Sequence, residues 1–184
     1  MKILKRFWLV AVLLLGATGC ATTGGEGVPV GETLYTQVNM YSLKGQIVTW
    51  VNYHVDSLIP INTAVVVDDI GSSSVTFTIK DTGQTLELKN KSRHSGLSGA
   101  QWAEKHFAAT RVDLTKFNAA ERQAIKDAKV ETGMSKAAVL AAYGYPPAHK
   151  TPSLDSDAWN YWVTKWNRIV VKFGADGRVD QVVD

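Results

Sequence analysis

The sequence predicts an α+β protein in two parts. A small all-β domain, sheet or barrel, is expected over residues 34–90. After a linker and helix over residues 91–117, a two-layer unit of two helices on a three-stranded antiparallel sheet is expected over residues 118–184. Three observations predict this. Short β-branched and aromatic runs alternate with turn signals from Leu34 to Leu88. Helix-start signals are confined to the middle of the chain, at Ser98, Asn118 and Ser135. The last third holds three more strand candidates, two of them joined by Gly174-Ala175-Asp176-Gly177. With 184 residues, 45% of them hydrophobic, and six Trp, the chain is long and apolar enough to bury a core, which excludes a disordered polar chain.

The first 19 residues have the order of an export signal. Lys2, Lys5 and Arg6 precede the apolar run Phe7–Leu15, and small residues follow. That run is too short to cross a bilayer core, which takes about 20 residues in a helix. Cys20 is the only cysteine and follows Ala17-Thr18-Gly19 directly. These four residues resemble the lipobox of bacterial lipoproteins, with Ala17 in place of the usual Leu. The resemblance implies acylation of Cys20, which becomes the mature N-terminus. Ala21 after it implies sorting to the outer membrane. Residues 20–33 are rich in Gly and Thr and read as a flexible tether. The whole chain has 20 basic against 17 acidic residues, and three of the 20 lie in the signal. The mature chain is therefore neutral, which argues against a nucleic-acid partner.

Within the all-β part, Gln46–Tyr53 reads as a strand with Ile47, Thr49, Val51 and Tyr53 on one face. Ala64–Val67 is a short apolar strand. Ser74–Ile79 alternates, and Asp81-Thr82-Gly83 turns it into Thr85–Leu88. The polar stretch Asn90–Gly99 is a linker. Ser98 caps a helix carrying Trp102, His106 and Phe107, and Asn118-Ala-Ala-Glu121 is a capping box that opens a second helix running to about Lys129. Ser135 caps a third helix. Gly144 is expected to close it in the left-handed conformation, and Pro146 prevents its continuation. Strands are then expected at Ala158–Trp166, Arg168–Phe173 and Arg178–Val183.

From Gly133 onward the chain resembles the SmpA/OmlA (BamE-like) family of small outer-membrane lipoproteins. The matching residues are Gly133-Met134-Ser135-Lys136, Tyr143-Gly144-Tyr145-Pro146, Trp159-Asn160-Tyr161, and Phe173 to Gly177 and Val179. Tyr143 stands where the family usually has Leu. The resemblance implies two helices on a three-stranded antiparallel sheet, with the Asn118 helix as the first of the pair. It also implies an accessory or scaffolding role in an envelope assembly. Residues 34–90 have no counterpart in that pattern.

No catalytic constellation is legible. His54, His94, His106 and His149 are scattered, without His-x-x-x-His spacing or an acid cluster, so no metal site is expected. There is no Gly-x-Ser-x-Gly elbow and no glycine-rich phosphate loop, and no cofactor is expected. The most informative surface is the aromatic strand. Alternation puts Trp159, Tyr161 and Val163 on one face and Trp162, Thr164 and Trp166 on the other, with Val170 and Lys172 beside the latter. A sheet with helices on one side needs one apolar face only. The second, marked by Trp162, Trp166, Val170 and Lys172, is either covered by the 34–90 domain, an interface for an envelope protein partner, or a ligand groove. Two polar stretches have open roles: the basic run Lys89–Arg93 and the loop from His149 to Asp157. The expected function is a non-enzymatic outer-membrane lipoprotein acting as a scaffold or accessory subunit. The alternative is a periplasmic binding or enzyme-inhibitory module, since β-lactamase inhibitor proteins have a fold similar to this family.

Overall fold

A computed structural model describes residues 27–184. The expected export signal, Cys20 and the expected tether up to Glu26 lie outside the described residues. The protein is mixed α+β, with one eight-stranded and one three-stranded sheet.

The first sheet comprises β1 (Thr33–Thr36), β2 (Met40–Leu43), β3 (Ile47–Val48), β4 (Ser57–Ile59), β5 (Ala64–Ile70), β6 (Ser74–Ile79), β7 (Thr85–Lys89) and β8 (Phe107–Ala108). Their order is β4-β2-β3-β7-β6-β5-β1-β8, so the sheet is open, with β4 and β8 at its edges. The β3–β7 pairing is parallel and the other pairings are antiparallel. The period-2 pattern of β5, β6 and β7 sends Val65, Val67, Val75, Phe77, Leu86 and Leu88 to one face, where all are buried. Each contributes about 1.5–3 kcal/mol by leaving water. A helix, α2 (Gly99–His106), closes this core with Trp102 and Ala103, and Phe107 follows. Ser98 starts α2 with a full capping box, its partner being Gln101. Gly99 lies so close to the β5–β6 turn that a Cβ would stand 1.7 Å from the Gly71 carbonyl oxygen.

The second unit contains α3 (Ala119–Lys126), α4 (Lys136–Tyr143), β9 (Ala158–Trp162), β10 (Arg168–Phe173) and β11 (Val179–Val183), in sheet order β11-β10-β9, all antiparallel. Ala124 and Ile125 from α3, Ala138, Val139 and Ala142 from α4, and Trp159, Tyr161, Val171 and Phe173 from the sheet share one buried core. Trp159 meets Phe173 edge-on at 4.7 Å.

Several elements differ from the sequence expectation. Val28 packs against the first core and the Gly31 N–H donates to the Val67 carbonyl, so the chain is already docked within the expected tether of residues 20–33. The expected strand Gln46–Tyr53 is a strand only at Ile47–Val48. Asn52 turns the chain with φ 48° and uses its side chain as a hydrogen-bond bridge. The stretch 91–117 is divided between the two units. α2 and β8 complete the first, whereas Val112, Leu114 and Phe117 pack on the second core. α3 stops at Lys126 because Ala128 adopts φ 51° and the Lys129 N–H returns to the Ala124 carbonyl. The first strand of the second sheet ends at Trp162, and Val163 to Asn167 form a tight turn in which Thr164 Oγ1 accepts from the Trp166 and Asn167 N–H groups. Gly144 has φ 78° but ψ −170°, an extended glycine conformation and not the left-handed helical one.

Candidate functional site

Helix α4 packs on the inner face of the second sheet and ends at the seam between the units. Its start is satisfied from within its own unit. Ser135 Oγ accepts from the Ala138 N–H, and the buried Glu121 carboxylate accepts from the Ser135 N–H at 2.8 Å. Glu121 also accepts from the Asn118 N–H, closing the capping box of α3, and lies 3.4 Å from Arg178 Nη1. Burial acts to raise the Glu121 pKa, but the hydrogen bonds from Ser135 and Asn118 and the Arg178 charge outweigh it and hold the carboxyl below its usual value.

The end of α4 is satisfied mainly by the other unit. A helix leaves its last four carbonyls without intrahelical donors. Here Leu140 receives the Gly144 N–H, Ala141 receives the Asn39 N–H, Ala142 receives Asn39 Nδ2, and Tyr143 receives Asn52 Nδ2 and His54 Nε2. Asn39 is 1% exposed, reaches the Ile125 carbonyl of α3 as well, and accepts the Ile61 N–H. Ile61, from the first unit, belongs to the second unit's core. A Cβ on Gly144 would stand 2.8 Å from Asn52 Nδ2 and 3.2 Å from the Asn39 carbonyl oxygen, so glycine is required twice over. The two units are therefore joined by a buried polar seam at this helix end and not across the outer face of the second sheet.

The resemblance residues lie around the same helix. Met134, Trp159, Tyr161 and Phe173 are buried in the core. Gly133 bonds Val179, Gly177 sits in the β10–β11 turn, and Tyr161 donates its hydroxyl to the Gly144 carbonyl beside the buried Pro146. The polar seam went unread in the sequence. Nothing in the local pattern around Asn39 or Asn52 distinguishes them from ordinary turn residues.

The outer face carries Trp162 and Val170, both half-buried, and Lys172, exposed. Register pairs Trp162 with Arg168, and Val170 with Val183 and Asn160, so these side chains form one continuous strip. None of them belongs to either core. Trp166 does not share this strip. It is 81% exposed at the tip of the β9–β10 turn and lines a cleft with Val163, Asn167, Arg168, Ile169 and Asp184.

The four histidines separate into three settings. His54 is at the seam, its ring 3.4 Å from that of Tyr143, and His106 is the buried last residue of α2, with Nδ1 donating to the Trp102 carbonyl one turn back. His94 and His149 come together near the surface. Among the described residues no three His, Cys, Asp or Glu side chains converge as metal ligands, and no helix is long and apolar enough to cross a membrane. No family model, no curated protein and no solved structure matches this chain.

Proposed function

We propose that the chain is an exported, lipid-anchored adaptor: a non-enzymatic lipoprotein held through Cys20 at the periplasmic face of the outer membrane, serving as scaffold or accessory subunit of an envelope assembly. Its C-terminal unit is read as SmpA/OmlA-like from the motifs between Gly133 and Val179. The observation that carries the adaptor role is the strip Trp162, Val170 and Lys172, bordered by Arg168. It is a half-apolar, cation-edged surface outside both cores. Aromatic anchors with a charged border are the usual make-up of a protein interface.

The test is site-specific photocrosslinking in intact cells from Lys172 and from Gln181, its neighbour on β11. The expected result is one dominant envelope protein crosslinked from both sites and lost in Trp162→Ala. Equal, diffuse crosslinking from these sites and from a control site such as Asp81 would sink the reading. The anchor is tested separately by palmitate labelling of the wild type beside Cys20→Ser. Equal labelling of the two, or none in either, removes it. The alternative inhibitory module calls for a pocket shared by Trp162 and Trp166. Trp162 does not line the Trp166 cleft, so that reading has no specific support.

A further inference from the structure

Two stretches that are separate in sequence, the basic run Lys89–Arg93 and the loop after α4, meet at the seam between the units. Trp50 comes from the turn after β3. Lys91, Arg93 and His94 come from the short helix α1 (Ser92–Ser95) and the residue before it. The second unit supplies Tyr145, His149 and Lys150. His94 stacks on Trp50, with centroids 4.8 Å apart and planes 12° apart. His149 stands edge-on to His94 at 4.8 Å and 5.3 Å from Trp50. Lys91 Nζ is 5.2 Å from the Trp50 ring centroid, and Lys105 Nζ of α2 is 4.1 Å from that of Tyr145. A narrow cleft beside the pair is lined by Trp50, His94, Lys105, Tyr145 and Pro146 among others, and His149 and Lys91 stand outside it.

The charge balance of this cluster is one-sided. The ion pairs among the described residues are Lys89 with Glu87 and Arg178 with Glu121. Lys91, Arg93, Lys105 and Lys150 thus have no carboxylate partner there. Burial first, then Arg93 and Lys91, hold the His94 pKa below its ordinary value. Burial, His94, Lys150 and Lys91, in that order, do the same for His149. Burial likewise lowers the Lys105 pKa. A divalent cation placed between the two imidazoles would be repelled by Lys91, Arg93 and Lys150, so the pair is unsuited to metal. An anion there would relieve the repulsions among His94, His149, Lys91, Arg93 and Lys150. A carboxylate supplies two oxygens and one charge. A phosphate group supplies three or four oxygens and −1.5 to −2 charge, which matches donors arriving from three elements.

We propose that the His94–His149–Lys91 cluster at the seam binds a phosphate-class oxyanion, as free phosphate or as a phosphomonoester headgroup. Binding draws protons onto the two imidazoles, so the pKa of each rises when the anion is bound. Trp50 holds His94 in place, and the anion ties the loop of the second unit to α1 of the first. This inference stands apart from the adaptor reading, since it uses neither the outer sheet face nor the anchor.

The experiment is nuclear magnetic resonance of the full chain in detergent with isotopically labelled histidine, titrated with inorganic phosphate at matched ionic strength. The apparent pKa values of His94 and His149 are expected to rise by about one unit at saturation. That corresponds to about tenfold tighter binding to the protonated form. His54 and His106 are expected not to respond. The double variant His94→Gln/His149→Gln should weaken phosphate binding at pH 6 by about tenfold or more, and Lys91→Gln should weaken it without touching an imidazole. Phosphatidic acid in phosphatidylcholine vesicles gives the second arm. A response to vesicles alone assigns a lipid headgroup, and a response to free phosphate assigns a soluble anion. The same histidine shifts with sodium chloride, or no response to either probe, would overturn the proposal.

Discussion

The two ends of helix α4 are closed by different means. At its start, Ser135 and Glu121 belong to the same unit, and Ser135 acts across three residues. At its end, Asn39, Asn52 and His54 arrive from about 90 to 100 residues earlier in the chain. The start is thus a local cap that any isolated second unit retains. The end is a cap supplied by another unit, and it turns a helix terminus into an interdomain joint. Separating the units would leave buried carbonyls without donors, so they should unfold together.

The strongest way to break the contrast is Asn39→Ala. It removes the donor to Ile125 and Ala142 and the acceptor for Ile61, leaving the Ala142 carbonyl and the Ile61 N–H unpaired and the Ile125 carbonyl with the Ala128 N–H alone. The expected loss is about 3–5 kcal/mol, read as a shift in urea midpoint. Loss of coincidence between probes of the first and second cores should accompany it. A single transition displaced by less than about 1 kcal/mol would mean that the joint does not hold the units together.

The same contrast decides how much could be read in advance. Ser98, Asn118 and Ser135 were legible as helix starts because a cap is written within four residues of the helix. So were the turns at Asp81-Thr82-Gly83 and Gly174 to Gly177, and the buried faces of β6, β9 and β10, which obey a period of two. Helix and strand ends were less legible. Ala128, with no sequence signal for a positive φ, ends α3, and Asn52 overrides the β-branched run before it. The candidate strip was half legible. Trp162, Val170 and Lys172 followed from alternation, but the turn at Thr164 carried Trp166 off it. The pairing of His94 with His149 joins residues 55 apart by packing alone, which no local pattern encodes.

Acid should act first on the joint. Burial pushes the pKa of His54 down to about 4, against its hydrogen bond to Tyr143, and likewise that of His106 to about 4, against its bond to Trp102. The unfolded imidazole titrates near 6.5, so between pH 6.5 and 4 the unfolded chain binds more protons. Stability is then full above pH 6.5 and is lost as the pH falls toward 4, by about 2 kcal/mol per histidine at pH 5. Chemical denaturation at pH 7.5 and pH 5 measures this, and His54→Gln should remove about half of the difference. An unchanged midpoint over that range would mean that neither imidazole is held neutral.

The smallest expected effect is at the other end of the helix, with Glu121→Gln. The Gln side chain keeps one acceptor oxygen, so either Ser135 or Asn118 loses its partner, and the attraction to Arg178 is lost. Arg178 is half exposed and still donates to the Gly133 carbonyl, so the ion pair itself contributes little. The expected loss is about 1–2 kcal/mol, with both cores still melting together because the joint is untouched. Its pH dependence runs in a lower window than that of the histidines. With the folded pKa below the ordinary 4.5, the carboxylate contribution is complete above that value and disappears as the pH falls through the folded pKa. Wild type and Glu121→Gln should therefore differ by a constant amount from pH 7.5 to pH 5 and converge only below about 4.5. A difference that shrinks between pH 7.5 and 5 would place the carboxylate in the histidine network, and the two ends of α4 would no longer be independent.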